Sequence, residues 1–180
     1  MPVQKYFIAI VIPEPFQTEI MAFKQLIADK YNSKSALRSP AHITLHMPFE
    51  WKEEKEGVLI DALQQFSFKE DFMIELQNFS SFEPRVIFVD VIKNELLTKF
   101  QNELVSYVKK NLCLFNQADD MRGFHPHVTI AFRDLRKKKF HEAFTYFKTQ
   151  NYNASFKATN FCLLKHTGKE WQVYKEFPAF

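Results

Sequence analysis

The sequence predicts a mixed α and β fold of two similar halves packed about a pseudo-two-fold axis. Three observations predict it. The order strand, helix, loop, strand, helix, strand occurs twice along the chain. The second strand of each half carries one pattern, His42-Ile43-Thr44-Leu45 and then His127-Val128-Thr129-Ile130. The length, 180 residues, suits one domain over 1–180 with a substantial core. The halves divide at roughly 1–80 and 81–180, with strand exchange between them open.

Tyr6 to Ile12 is an apolar, β-rich run that Pro13 ends. Pro15 suits the first turn of a helix, and Ile20, Phe23 and Ile27 recur at helical spacing to about Lys30. A loop from Asn32 to Pro40 leads to the first His-Thr strand. The charged stretch Lys52 to Glu56 precedes a helix with Val58, Leu59, Ala62, Leu63 and Phe66. Phe72 to Phe79 alternates as a strand.

The pattern restarts at Val86 to Ile92, a buried strand. Asn94 is placed to cap a helix marked by Leu97, Phe100, Leu104 and Val108 and ending near Leu112. A loop with Asp119, Asp120 and Gly123 leads to the second His-Thr strand. After a basic segment, Arg133 to Lys139, comes a helix with Phe140, Phe144 and Phe147. Phe156 to Leu164 and Trp171 to Phe177 read as two strands joined through Thr167-Gly168.

Composition narrows the function. The chain is 46% hydrophobic with 21 Phe but only 3 Gly, and no GxGxxG or P-loop pattern occurs. A net charge of +3 fits a phosphate-bearing ligand and falls well short of a protein that coats nucleic acid. Cys113 and Cys162 each sit in an apolar setting and are expected as buried, reduced thiols. No signal peptide and no apolar run of 18 residues is found, so a cytoplasmic protein without a membrane partner is expected.

Strand side chains alternate between faces, so His42 and Thr44 share one face and Ile43 and Leu45 take the other. His127 and Thr129 sit together in the same way, with Val128 and Ile130 opposite. One such match is weak; two in corresponding places are specific. Packed about a two-fold, the halves bring His42 and His127 across one cleft. A His titrates near neutral pH, so one can take a proton while its partner gives one. Two imidazoles on opposite sides of a phosphorus suit in-line displacement, and Thr44 and Thr129 can hold the non-bridging oxygens. That chemistry needs no metal or cofactor. A 2′,3′-cyclic phosphate, an ester that arises in RNA, suits it.

These paired H-x-T motifs, the opening strand from Lys5 to Pro13 and the two-lobed order resemble the 2H phosphoesterase superfamily. The likeness is to its branch of 2′-5′ RNA ligases and RNA 2′,3′-cyclic phosphodiesterases, and it spans roughly residues 5 to 177. The resemblance implies a bilobal α+β fold, with antiparallel sheets lining a central cleft and helices outside. It implies His42 as proton donor to the leaving O3′, His127 as the base for water, and Thr44 and Thr129 as phosphate-binding residues. Two departures bear on the substrate more than on the reaction class. Many members carry Arg three residues after the second Thr, where this chain has Phe132 followed by Arg133. Met47-Pro48-Phe49 lacks the Gly common in that branch.

Other residues carry two readings each. His46 and His125 fall on the motif faces; His125-x-His127 has the look of a metal pair, but no carboxylate or Cys close in sequence completes a site. Arg38 and Arg122 precede the motifs and either touch substrate phosphate or are solvated. Arg133 opens a basic run that is either an RNA groove or a solvated helix face. Trp171 stacks a base or packs in its hairpin.

The expected function is a metal-independent phosphodiesterase acting, as a monomer, on 2′,3′-cyclic phosphates of RNA ends or on small phosphodiester nucleotides. RNA ligation by the reverse reaction, or cleavage of 2′-5′ or cyclic oligonucleotides, is the alternative within the same chemistry. A non-catalytic nucleotide- or RNA-binding module is the alternative outside it, although binding alone needs no pair of titrating groups.

Overall fold

The computed structural model describes residues 2–116 and 123–179. The first half runs β1 (Val3–Val11), α1 (Phe16–Tyr31), β2 (His42–Lys52), α2 (Glu56–Gln65) and β3 (Met73–Phe82). The second runs β4 (Val86–Val91), α3 (Glu95–Leu112), β5 (His127–Ala131), α4 (Lys137–Phe147) and β6 (Asn153–Lys157). The hairpin β7 (Asn160–His166) and β8 (Trp171–Pro178) closes the chain. Helix α3 starts as its sequence asks: the Asn94 side chain accepts from the backbone N–H groups of Leu96 and Leu97.

The eight strands form a single curled sheet in the order β6-β3-β4-β5-β2-β1-β7-β8, every neighbouring pair antiparallel. The sequence pointed to sheets in the plural; here the two sides meet at the centre, where Ile43 of β2 stands opposite Val128 of β5. Strand β3 crosses to pair with β4 and β6, and the β7–β8 hairpin comes back to pair with β1.

The stretch 156–164 is not one strand. It splits into β6 and β7 at Ala158 and Thr159, because β6 pairs with β3 and β7 with β1. Those strands lie on opposite sides of the sheet's centre, yet Lys157 and Asn160 are three residues apart, which a chain spans in at most about 11 Å. The sheet therefore has to curl until its margins approach.

The curl wraps a core shared with the helices. Ile8, Ile10, Ile43, Leu45, Ile87, Val89, Val128 and Ile130 face the helix layer and are buried. The many Phe residues fill the space that the curl encloses. Phe100 of α3 packs against Phe66, Phe68 and Phe72, and also against Phe161 of β7. Phe23 of α1 packs edge-on against Phe79, Phe147 and Tyr152. Cys162 is buried as expected and its thiol is pushed up to about 12 by burial, whereas Cys113 is exposed. Cys113 is the left-handed C-cap of α3 and so sits where the helix leaves the core. Among the described residues no helix is long and apolar enough to cross a membrane.

Candidate active site

The face of the sheet opposite the helices carries the two motifs. Along β2 and β5 the residues alternate half-buried and buried, starting half-buried at His42 and at His127. With Ile43 opposite Val128 in an antiparallel pair, His42 falls across from Thr129 and Thr44 across from His127. Directly opposed side chains on one face start about 4.5–5.5 Å apart and diagonal ones about 7–8 Å. The two imidazoles lie on one such diagonal and the two hydroxyls on the other.

The halves repeat this geometry closely. His42 Nδ1 is 2.7 Å from the Pro40 carbonyl oxygen, and His127 Nδ1 is 2.7 Å from that of His125. With Nδ1–H donating to a carbonyl, each ring keeps Nε2 as the free nitrogen. Across β1, the motif His42-Ile43-Thr44 faces Val11, Ile10 and Ala9. Across β4, His127-Val128-Thr129 faces Asp90, Val89 and Phe88. In both halves the register then slips by one residue just after the Thr: the next pairs are Ile8 with His46 and Ile87 with Ala131. The extra residues, Leu45 and Ile130, mark a bulge that ends each motif.

That bulge overturns one expectation. Strict alternation places His46 on the motif face, but the slip sets it opposite Ile8, a core residue, and it is buried. Its Nδ1 lies 2.8 Å from the Met47 carbonyl and its ring packs edge-on to Phe49.

The other site residues scatter. His125 is exposed, with Nε2 3.9 Å from Asp90 Oδ1 and its ring 6.2 Å from that of His127. Trp171 is half-buried at the start of β8, edge-on to Phe7, whose ring in turn lies 4.8 Å from that of His42. Arg38 is exposed at the end of a 3-10 turn, Ser35–Arg38. Arg133 is exposed at φ 60°, its guanidinium over the Phe132 ring. Arg122 lies outside the described residues. The basic run does not form one stretch, because Lys137 to Lys139 begin α4 and Lys139 pairs with Glu142 at 2.6 Å. Among the described residues no three His, Cys, Asp or Glu side chains gather in a way that could hold a metal ion.

Three groups near the histidines were not singled out by the sequence. Phe82, exposed at 38%, stands 5.1 Å from the His127 ring, edge-on. Asp90 is the only charged residue of strand β4, and a carboxylate inside an apolar run was its signal. Lys24 lies on the apolar stripe of α1, four residues after Ile20, and is 1% exposed. Its ammonium donates to the Ser39 carbonyl at 2.9 Å, and burial pushes it down to about 7.

The two imidazoles differ in environment. Burial pushes His42 down to about 4; the bond to the Pro40 carbonyl opposes this, and the Lys24 and His127 charges add to it. Burial also lowers His127; the bond to the His125 carbonyl opposes this, the His125 charge adds to it, and the Asp90 carboxylate opposes it in turn. The loop after β5 fixes the segment before β2. Asp134 accepts from Ser33 Oγ at 2.6 Å and from the backbone N–H groups of Lys34 and Ser35 at 2.8 and 3.0 Å.

Known proteins resemble this chain along its whole length. A protein of Geobacillus sp. strain WCH70 named "Putative phosphoesterase" is 28% identical over 177 residues, covering 96% of this chain and 95% of the relative. A second of that name from Geobacillus kaustophilus is 29% identical with the same coverage. Escherichia coli LigT, crystallised with 3′-AMP, superposes with a TM-score of 0.68 at 21% identity over 99% of both chains. TT0787 of Thermus thermophilus superposes at 0.64 with 16% identity over 97% of both. These likenesses show the same fold. The model of the 2′-5′ RNA ligase superfamily matches residues 12–170, both motifs included, and the chain belongs to that superfamily, the 2H phosphoesterases.

Proposed function

We propose that the protein is a metal-independent phosphodiesterase that opens 2′,3′-cyclic phosphates, of RNA ends or of small nucleotides, to 2′-phosphates. The observation that carries this reading is the register at Ile43 and Val128, which gathers two imidazoles and two hydroxyls on one face. A phosphate seated over the centre of that face has an Nε2 toward each side, as in-line displacement requires. The Thr44 and Thr129 hydroxyls serve the non-bridging oxygens, where charge collects in the transition state. One imidazole takes a proton from water and the other gives one to the leaving O3′. The nucleotide ligands crystallised with LigT, 3′-AMP and ATP among them, support a cleft for small nucleotides. The family's name supports ligation as the same chemistry run backwards, with a 5′-hydroxyl in place of water.

The test is incubation with a 2′,3′-cyclic mononucleotide in excess EDTA. A 2′-phosphate product is expected. Activity lost in EDTA and restored by one divalent ion would defeat the metal-independent mechanism. Tight binding without turnover of cyclic mononucleotides, RNA ends or 2′-5′ oligonucleotides would favour a binding module.

A further inference from the structure

The two half-sites hold the peptide before each motif histidine by different means. Pro40 and His125 correspond, and their carbonyls lie 2.7 Å from Nδ1 of His42 and of His127. The next residues also correspond, but they differ in chemistry. Pro126 has no N–H, whereas Ala41 has one and is fully buried. A buried N–H needs a partner.

The ladder between β1 and β2 would supply one if it ran on past Val11 and His42. Ile12 and Ala41 would then exchange two backbone bonds, as antiparallel partners do. One forms, from the Ile12 N–H to the Ala41 carbonyl at 3.0 Å. The other is replaced by the side-chain amide of Gln17, from the first turn of α1. Gln17 Oε1 accepts from the Ala41 N–H at 2.6 Å, and Nε2 donates to the Ile12 carbonyl at 3.0 Å and to the Ala41 carbonyl at 3.2 Å. In the second half the N–H of Val91, which corresponds to Ile12, donates to the Asp90 carboxylate at 3.0 Å.

We infer that Gln17 is a positioning residue for His42, whose ring it orients through the Pro40–Ala41 peptide. The kinetic consequence rests on the phosphodiesterase reading above; the effect on the ring does not. The Ala41 N–H and the Pro40 carbonyl are two ends of one planar unit, so an amide that grips the first fixes the direction of the second. A carbonyl only accepts, so the bond to it keeps the proton of the neutral His42 ring on Nδ1 and leaves Nε2 to the cleft. Accepting from the Ala41 N–H also polarises the peptide and makes the Pro40 oxygen a better acceptor. The Pro126 ring, which fixes its own φ, does the corresponding work before His127. Proton donor or base, His42 needs Nε2 turned toward the phosphate.

The test is Gln17→Met, which keeps the length of the side chain and removes its amide. Gln101→Met is the control. Gln101 is a buried amide of α3 that donates to the Leu45 carbonyl of the same strand at 3.1 Å, away from the Pro40–Ala41 peptide. Long-range ¹H–¹⁵N NMR at pH 8, with both rings neutral, reads which nitrogen carries the proton. In wild type it should be Nδ1 in His42 and in His127. In Gln17→Met, His42 should become a mixture with the Nε2–H form while His127 stays as it was. Gln101→Met should melt lower and leave both rings unchanged. On a 2′,3′-cyclic nucleotide, Gln17→Met should lose about 10–10² in kcat with KM within about twofold, and Gln101→Met should keep kcat within about twofold. A wild-type His42 protonated at Nε2 would overturn the inference before any variant is made. So would a Gln17→Met protein with the wild-type tautomer or with kcat within about twofold of wild type, or the same ring change in Gln101→Met. A wild type that opens no cyclic nucleotide, with the tautomers as expected, would count against the substrate reading alone.

Discussion

Residues 9–11 with 42–44, and residues 88–90 with 127–129, are the same construction made twice. Strand pairing, the Nδ1 bond to the carbonyl two residues back and the bulge after the Thr all correspond. The neighbours do not. Ala9 leaves room beside Thr44 where Phe88 fills the space beside Thr129, and Val11 answers to Asp90. The repeat thus fixes where the two imidazoles and two hydroxyls stand, and the unrepeated residues around them set the surroundings of each imidazole. A symmetric backbone can serve an asymmetric reaction because acid and base need the same placement and opposite charge states.

The most severe way to break the comparison is to remove one imidazole at a time. His42→Ala and His127→Ala should each lower kcat by about 10²–10⁴ on a cyclic nucleotide. The double variant should lose less than the product of the two, since both act in one step. Both rings are half-buried on the face away from the helices, so melting temperatures should stay near wild type. Variants that unfold, or that retain near-full turnover, would make the histidines structural.

The hydroxyls form the more symmetric pair. Thr44→Val and Thr129→Val keep shape and strand propensity, and each should cost about tenfold or more in kcat/KM. Comparable losses would show the phosphate centred on the two-fold axis; a loss at only one Thr would show it seated to one side.

The pH dependence of kcat/KM sharpens the contrast. On the proposed reading one imidazole must be neutral and the other protonated, and burial lowers both, His42 to about 4. The optimum should lie on the acid side of neutrality, between the two values. A rate still rising at pH 8 would mean that neither half-site titrates as its surroundings dictate.

Much of this site was legible in the sequence, because period-two alternation and a duplicated motif are local signals. His42, Thr44, His127 and Thr129 needed only that alternation to share a face. His46 was misplaced because a bulge is decided by pairing with β1, and nothing within 42–46 announces it. Residues 156–164 look like one strand because their apolar character is continuous, while the break comes from two distant partners, β3 and β1. Asp90 and Lys24 gain their meaning only from the elements packed against them. A single charge inside an apolar strand or stripe was the visible trace of each.

Lys24 offers the smallest effect and a clean sign. Its ammonium is buried with one carbonyl partner, and its pKa falls from 10.5 to about 7. The unfolded chain therefore holds a proton between those values that the folded chain does not. Folding is favoured fully above pH 10.5 and progressively less as pH falls to 7, below which the two states bind protons alike. Lys24→Met keeps most of the volume and removes the burial cost, at the loss of one hydrogen bond to Ser39. At pH 6 the variant should be more stable than wild type by about 1–3 kcal/mol. The difference should shrink toward pH 10 as wild type recovers, which thermal unfolding at the two pH values measures. Removing that charge should also raise the titration of His42, which lies behind the Ser39–Pro40 segment, while His127 stays as it was. A variant less stable at both pH values would show that the Ser39 bond outweighs the burial of the ammonium. His42 would then owe its low value to its apolar wall alone.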